Sequence, residues 1–106
     1  MDLINRRCAA CRADTPTLSL EAIIEHQSHV PQWKTVDTTI VRTFHFNTFK
    51  DALAFFNKVA LIAEEEDHHP DMSITEWRKV TLSFTSHAAN GLTENDFIMA
   101  AKMVRL

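Results

Sequence analysis

The sequence predicts an α+β domain in which a four-stranded antiparallel sheet carries three helices packed on one face. Three observations lead to this prediction. Apolar residues recur at helical spacing in three segments, they alternate with polar residues in two pairs of short segments, and turn residues separate the members of each pair. The predicted order is helix, strand, strand, helix, strand, strand, helix. Strand hairpins that alternate with helices favour an antiparallel sheet with one covered face.

Composition is typical of a single globular domain. The 106 residues are 45% hydrophobic and 24% charged, with a net charge of −3 and no cluster of Lys or Arg. That balance argues against a nucleic-acid or membrane partner, because both need a concentrated positive face. No apolar run approaches the roughly 20 residues of a membrane span, and the first residues contain no signal-peptide h-region, so we expect a cytoplasmic protein. We divide the chain into an irregular N-terminal arm, residues 1–16, and a domain, residues 17–106.

The first helix is predicted to begin at a cap on Ser19 or Thr17 and to end near Gln27, before Pro31. Its predicted inner face comprises Leu20, Ile23 and Ile24. The predicted strands are Trp33–Val36, Thr39–Phe46, Asp71–Glu76 and Lys79–Thr85. The predicted turns of the two hairpins are Asp37-Thr38 and Trp77-Arg78.

Residues 48–66 give the clearest helical pattern, with Thr48 as the N-cap. The apolar stripe that we expect to face the core comprises Phe49, Ala52, Leu53, Phe56, Val59, Ala60 and Ala63. Phe55 lies off this stripe, and with Leu61 and Ile62 it indicates a subunit contact. Glu64, Glu65 and Glu66 end the helix, where its dipole disfavours negative charge. They are either a solvated surface or a sign that one carboxylate has a function.

The last helix is predicted to open on a capping box, Thr93-Glu94-Asn95-Asp96. Its expected inner face comprises Phe97, Ala100, Ala101 and Val104. Asn90-Gly91 marks a turn before it.

Three histidines stand where strands end. His68 and His69 leave the central helix beside Pro70, and His87 follows the last predicted strand. If the second pair of strands forms a hairpin, the three imidazoles lie along one rim of the sheet. Imidazole suits acid–base chemistry near neutral pH, but three histidines can also bind a metal ion or serve no chemistry at all. Glu64, four residues before His68, is expected to share a helix face with it.

Cys8 and Cys11 form a single Cys-x-x-Cys motif. A thioredoxin-like site needs a strand before the motif, and none is predicted. A zinc site would take His26 and His29 as its other ligands, although their spacing is shorter than in the usual finger. The remaining alternative is an exposed, partly frayed arm.

Seven positions then resemble a known family, the pterin-4a-carbinolamine dehydratases. In that family an acidic or similar residue is followed, after three residues, by His, by His or Asn, and by Pro. An aromatic residue comes next, then a His or Trp after nine residues, and then an Asp. The matching positions here are Glu64, His68, His69, Pro70, Trp77, His87 and Asp96. The segments Arg42–Phe46 and Ala52–Phe56 are also similar, so the resemblance covers about residues 17–104 and leaves Cys8 and Cys11 outside.

The resemblance implies a cofactor-free and metal-free lyase, which removes water from a 4a-hydroxytetrahydropterin made by aromatic amino acid hydroxylases and leaves a quinonoid dihydropterin. It implies that His68, His69 and His87 line the site, and we expect His69 and His87 to transfer most protons. The predicted substrate-binding or orienting residues are Glu64, Asp67, Pro70, Trp77 and Asp96. Members of the family form dimers or tetramers, and some animal relatives bind a transcription factor. The alternative is therefore a non-enzymatic dimerisation or regulatory module.

Overall fold

The structure is a computed structural model that describes residues 1–103. Its elements are α1 (Leu20–Ser28), β1 (Lys34–Val36), β2 (Thr39–His45), α2 (Phe49–Glu66), β3 (Asp71–Thr75), β4 (Lys79–Phe84) and α3 (Glu94–Lys102), with short 3₁₀ turns at Leu3–Asn5 and His87–Ala89. This order confirms the predicted α-β-β-α-β-β-α arrangement. Over the described residues no helix combines the length and the apolar character needed to cross a bilayer. Val104, predicted for the inner face of the last helix, falls outside the described part.

The four strands form one antiparallel sheet in the order β1-β2-β4-β3. The two hairpins therefore lie side by side, with β2 and β4 at the centre. In this register Ile40 of β2 faces Phe84 of β4, while Asp71 of β3 faces Ser83. The beginning of β3 and the end of β4 thus meet at one edge of the sheet, and this is where the predicted histidines leave their elements.

One face of the sheet is buried under the helices. Along β4 every second residue is fully buried, namely Val80, Leu82 and Phe84, and their neighbours are half-exposed. This alternation is expected of a strand that covers a core on one side and meets water on the other. The Trp33 ring packs on Phe84 with ring centroids 5.6 Å apart, so the segment before β1 closes one end of the core.

The second hairpin turns one residue earlier than predicted. Glu76 and Trp77, not Trp77 and Arg78, have positive φ angles of 49° and 54°. Two consecutive left-handed residues match the right-handed twist of the flanking strands, which is why two-residue hairpins favour this turn. Trp77 therefore lies at the exposed tip of the hairpin.

Helix α2 was predicted with the correct bounds, and Thr48 caps it through a hydrogen bond from the Asp51 N–H. The predicted buried face was partly wrong. Phe49 and Leu53 are 51% and 40% exposed, whereas Phe55 is buried. The reason lies in β2, because Phe44 and Phe46 place their rings 4.6 and 5.2 Å from that of Phe55. Phe55 is thus a core residue and not a subunit contact.

The remaining α2 residues fall into three groups by burial. Ala52, Val59 and Ala63 of the predicted stripe are buried. The half-buried residues are Phe56, Ala60 and Ile62. Leu61 is 65% exposed.

Helix α1 presents a different face to the core than expected. Leu20 and Ile24 are 73% and 63% exposed, and Ile23 is only half-buried. The buried residue is His26, whose ring lies 5.3 Å from that of Phe97 on α3. A polar residue took the inner position because both of its ring nitrogens find partners there, the Ala22 carbonyl and the Glu94 carboxylate.

Helix α3 is buried on more sides than an amphipathic surface helix. Phe97 and Ala100 are inaccessible, as predicted, but Ile98 and Met99 are buried too. The N-terminal arm accounts for this, because its 3₁₀ turn at Leu3–Asn5 packs against α3. Leu3 of the arm is only 3% exposed, and Lys102 donates a hydrogen bond to the Ile4 carbonyl at 2.9 Å.

Candidate active site

The end of α2 turns the chain so that two histidines leave the helix together. Asp67 adopts the left-handed conformation, with φ of 50°. Its N–H donates to the Glu64 carbonyl, while the His68 N–H donates to the Ala63 carbonyl. These two bonds form a Schellman motif, which usually needs Gly at the left-handed position but tolerates a short polar side chain. Asp67 therefore fixes the direction in which His68 and His69 depart.

His68 is held from beneath by a buried carboxylate. Its Nε2 lies 2.7 Å from Oδ1 of Asp96, a residue with no exposed surface. The other carboxylate oxygen of Asp96 accepts from the Ser86 hydroxyl at 2.9 Å and from the Thr93 N–H at 3.0 Å. The second of these bonds belongs to the predicted capping box of α3, which the structure confirms. One carboxylate thus begins a helix and orients an imidazole.

The protonation pattern of His68 follows from these contacts. A carboxylate that takes two donors on one oxygen acts as an acceptor, so Nε2 of His68 carries the hydrogen in the bond to Asp96. The ring is 8% exposed and stacks parallel to Phe84 at a centroid distance of 6.2 Å. Its Nδ1 is therefore the nitrogen that remains for a ligand, in a ring that packing holds in place.

His69 also binds a carboxylate, but this pair is exposed to solvent. Its Nε2 lies 2.6 Å from Oε1 of Glu64, and the two side chains are 53% and 77% exposed. Glu64 was expected to share a helix face with His68, and the structure pairs it with His69 instead. The left-handed residue at position 67 explains the difference, because helical spacing does not continue past it.

His87 lies in a short closed loop after β4. The Ser86 N–H donates to the Gly91 carbonyl at 3.1 Å, and Asn90, with φ of 59°, completes the turn between them. Gly91 is required by close approach, since a Cβ there would lie 2.9 Å from a methyl carbon of Thr17. His87 itself is exposed.

These elements surround one cavity of about 280 Å³, which we name the histidine pocket. It is lined by Ala9, Ala10, Cys11, Asp67, His68, His69, Thr85, Ser86, His87 and Ala88. The three histidines, 19 residues apart at most along the chain, therefore share a single cavity. The volume is near the lower end of the range of about 300–1,000 Å³ that is usual for small-molecule sites.

The structure does not bring every predicted site residue into this pocket. Asp67 lines it, whereas Glu64 and Asp96 lie behind two of the histidines and touch them. Pro70 is half-buried beyond His69 and is not part of the lining. Trp77 is 62% exposed at the far end of β3, and five residues of strand carry it roughly 17 Å away from the pocket edge.

One wall of the pocket comes from the N-terminal arm. The Asn95 side chain accepts from the Ala9 N–H at 2.9 Å and donates to the Ala9 carbonyl at 2.6 Å. The Cys8 N–H donates to Glu66 at 2.8 Å. Burial, with the nearby Glu66 carboxylate adding to it, raises the pKa of the Cys8 thiol to about 12. The arm is therefore docked, in contrast to the frayed segment that composition had allowed.

The proposed zinc ligands are not assembled. Across residues 1–103 no three His, Cys, Asp or Glu side chains are grouped so that they could hold a metal ion. His26 is instead engaged by Ala22 and Glu94, and His29 lies at the end of α1 beside the first residues of the chain. Both cysteines are free thiols.

Sequence reasoning missed two parts of the site. Ser86 supports the Asp96 carboxylate, and Ala9 and Ala10 line the pocket. Ser86 could have been identified from its position directly before His87. The arm could not have been assigned to the site, because irregular backbone held by distant side chains leaves no periodic pattern in the sequence.

Fold and pocket together define an α+β domain with a histidine-lined cleft at one edge of its sheet. A sequence model of the pterin 4 alpha carbinolamine dehydratase family matches residues 16–106. A crystal structure of a transcriptional coactivator/pterin dehydratase from Brucella melitensis is similar, with a TM-score of 0.79 and 32% sequence identity over 85% of this chain and 97% of that chain. The chain belongs to the pterin 4 alpha carbinolamine dehydratase family.

Proposed function

We propose that the protein is a hydro-lyase that converts a 4a-hydroxytetrahydropterin to a quinonoid dihydropterin, and so recycles the cofactor of aromatic amino acid hydroxylases. The observation that carries the proposal is the convergence of His68, His69 and His87 on one cavity in a chain of this family. Positioned imidazoles suit a reaction that consists of two proton transfers.

The elimination breaks two bonds, C4a–O and N5–H, and forms two, the second bond between C4a and N5 and an O–H bond of the departing water. A proton is delivered to the 4a-hydroxyl, the C4a–O bond breaks and water leaves. The proton on N5 is removed, and its electron pair forms the C=N bond between N5 and C4a. No electrons enter or leave, so the step needs no redox partner. General acid and base groups accelerate such steps by about 10²–10⁴-fold each.

The environments of the histidines suggest a division of roles. His69 and His87 are exposed, so they can exchange protons with water between turnovers, and we assign most of the proton transfer to them. His68 is buried and fixed by Asp96, so its Nδ1 is suited to hold the ring of the substrate in position. Glu64 orients His69, and Asp67 adds negative charge at the pocket edge.

The experiment is a stopped-flow assay with freshly generated 4a-hydroxytetrahydrobiopterin. We expect the dehydration rate to rise in proportion to protein concentration above the uncatalysed reaction. A rate equal to the uncatalysed one at every protein concentration would rule out the lyase. The assay is run without added metal and again with a chelator, and we expect equal rates.

A second role, as a self-associating or regulatory module, has its own support. Phe49, Leu53 and Leu61 form an exposed apolar row along α2, and the similar Brucella protein is described as a transcriptional coactivator. We propose that this row joins copies of the chain into homodimers or homotetramers. Sedimentation of the wild type and of Leu61→Lys tests this: the variant should be smaller, and a monomeric wild type would contradict it.

We place this activity in the cytoplasm. A reducing compartment would keep Cys8 and Cys11 as the free thiols that the structure contains. Fractionation of cells that express the protein, with pterin dehydratase activity followed in each fraction, tests the assignment.

A further inference from the structure

The arm before residue 16 lies outside the part of the chain that the family model matches, yet it supplies one side of the histidine pocket. We propose that residues 9–11 are the specificity-determining wall of this pocket, and that Ala10 and Cys11 contact the bound pterin ring. The inference rests on the proposed function for the identity of the ligand.

The wall is held rigidly enough to select a ligand. Asn95, which is 6% exposed, satisfies both backbone groups of Ala9, and its amide nitrogen also lies 3.2 Å from Sγ of Cys11. Glu66 adds a second anchor through the Cys8 N–H. A backbone segment fixed at both of its polar groups loses little further freedom when a ligand binds, so its contacts contribute to affinity.

The same helix turn holds the wall and the buried histidine. Asn95 binds the arm, and the next residue, Asp96, binds His68. The position of the wall relative to His68 is therefore set by two adjacent residues on a rigid element. A wall fixed in this way would select ligands by the width of the flat ring that lies against the histidines.

The side chains of the wall suit contact better than chemistry. Ala9 and Ala10 present only methyl groups, which leave the small cavity open, and a larger side chain would occupy it. Neither alanine carries a proton that could be transferred. Changes in the wall should therefore alter substrate binding, seen as KM, more than the chemical step, seen as kcat.

The two cysteines differ in a way that provides a probe. Cys11 lines the pocket, whereas Cys8 does not and points its Sγ to the Asn95 carbonyl at 3.8 Å. The raised pKa of Cys8 makes its thiol a poor nucleophile near neutral pH. Alkylation of Cys11 in a Cys8→Ser variant therefore reports whether the wall is covered by a ligand.

The first test compares Ala10→Trp with Arg12→Trp. Both residues are exposed, but only Ala10 lines the pocket. We expect Ala10→Trp to raise KM for the carbinolamine by at least about tenfold, because the larger side chain would occupy part of the pocket. We expect kcat to stay within about twofold of wild type. Arg12→Trp should leave both constants unchanged. An unchanged KM in Ala10→Trp would overturn the proposal and leave the lyase itself intact.

The second test does not depend on turnover. Cys11 in the Cys8→Ser protein is alkylated with iodoacetamide in the presence and absence of 7,8-dihydrobiopterin. At ten times the dissociation constant, measured by calorimetry, we expect about tenfold slower alkylation. Protection supports the wall even if no dehydration is detected, a result that would refute only the proposed function. Binding without protection, or no binding at all, overturns the inference.

Discussion

Nε2 of His68 lies 2.7 Å from Oδ1 of Asp96, although the two residues are 28 positions apart in the sequence. The Asp96 side chain is fully buried. Asp96 also receives the Thr93 N–H that begins α3. The orientation of an imidazole in the pocket is thereby coupled to the first turn of a core helix. A residue that looks like an ordinary capping residue in the sequence is placed to control which nitrogen of His68 carries a proton.

Replacing Asp96 by Asn should separate these two tasks. The amide oxygen can still accept from Ser86 and Thr93, but the amide nitrogen then donates to Nε2 of His68, so the ring proton moves to Nδ1. We expect kcat/KM to fall by about 10–100-fold, because Nδ1 then carries the proton and can no longer accept a hydrogen bond from the bound ring. Nitrogen-15 NMR of the imidazole would report the tautomer directly. Asp51→Asn, an equivalent change at the exposed start of α2, is the control, and an unaltered tautomer would contradict the prediction.

His87 and His45 offer a matched pair of exposed histidines. His87 lines the pocket, whereas His45 is the last residue of β2 and pairs with Lys79, at the end of the sheet remote from the pocket. We expect His87→Ala to reduce turnover by at least about 100-fold, because a positioned acid or base is lost. His45→Ala should retain wild-type turnover. Equal activity in the two variants would remove His87 from the proposed chemistry.

Phe55 and Phe49 provide a test of which face of α2 is buried. Phe55 packs between two rings of β2 and is 7% exposed, while Phe49 is 51% exposed. Phe55→Ala should lower the free energy of unfolding by about 3–5 kcal/mol, the usual cost of emptying an aromatic core site. Phe49→Ala should cost less than about 1 kcal/mol in a dilute, monomeric sample. Urea unfolding followed by tryptophan fluorescence measures both, and a larger loss for Phe49 would show the helix to be rotated.

Glu94 should make the stability of the folded protein depend on pH. Burial raises the pKa of its carboxyl, but hydrogen bonds from Arg6 at 2.7 Å and from His26 outweigh this, so the pKa lies below its usual value of 4.5. The stability that the ionised Glu94 contributes is fully present at pH values above the usual pKa. It is lost as the pH falls through the lowered pKa of the folded protein.

Glu94→Gln should therefore destabilise the protein at pH 7, and the difference from wild type should shrink as the pH falls below the usual pKa of 4.5. Because the side chain is 39% exposed, we expect no more than about 1 kcal/mol. Glu25→Gln on the exposed side of α1 is the control. A gap between Glu94→Gln and wild type that widens as the medium is acidified would show the sign to be wrong.

Much of the fold was accessible from the sequence because its signals are local. Strand alternation, the Thr48 cap and the Thr93–Asp96 box each depend on a few adjacent residues, and the structure confirms them. The inner faces of α1 and α2 were less accessible. Both helices carry apolar residues on more than one side, so the partner element decides which of them is buried.

The site divides in the same way. The histidine positions could be identified from their spacing and from the family resemblance. The pairing of Glu64 with His69, the support of Asp96 by Ser86 and the docking of the arm on Asn95 could not. Each of these depends on a left-handed residue or on a contact across the fold, and neither leaves a periodic pattern in the chain.

The left-handed Asp67 also restricts how this region can vary in length. Between it and β3 there are only three residues, and within β3 Met72 and Ile74 face the core while their neighbours face outward. One inserted or deleted residue here would turn both side chains out into water and move His68 off its carboxylate. Homologues are therefore expected to differ at this junction by substitution alone, whereas the hairpin tip at Trp77 is free to lengthen.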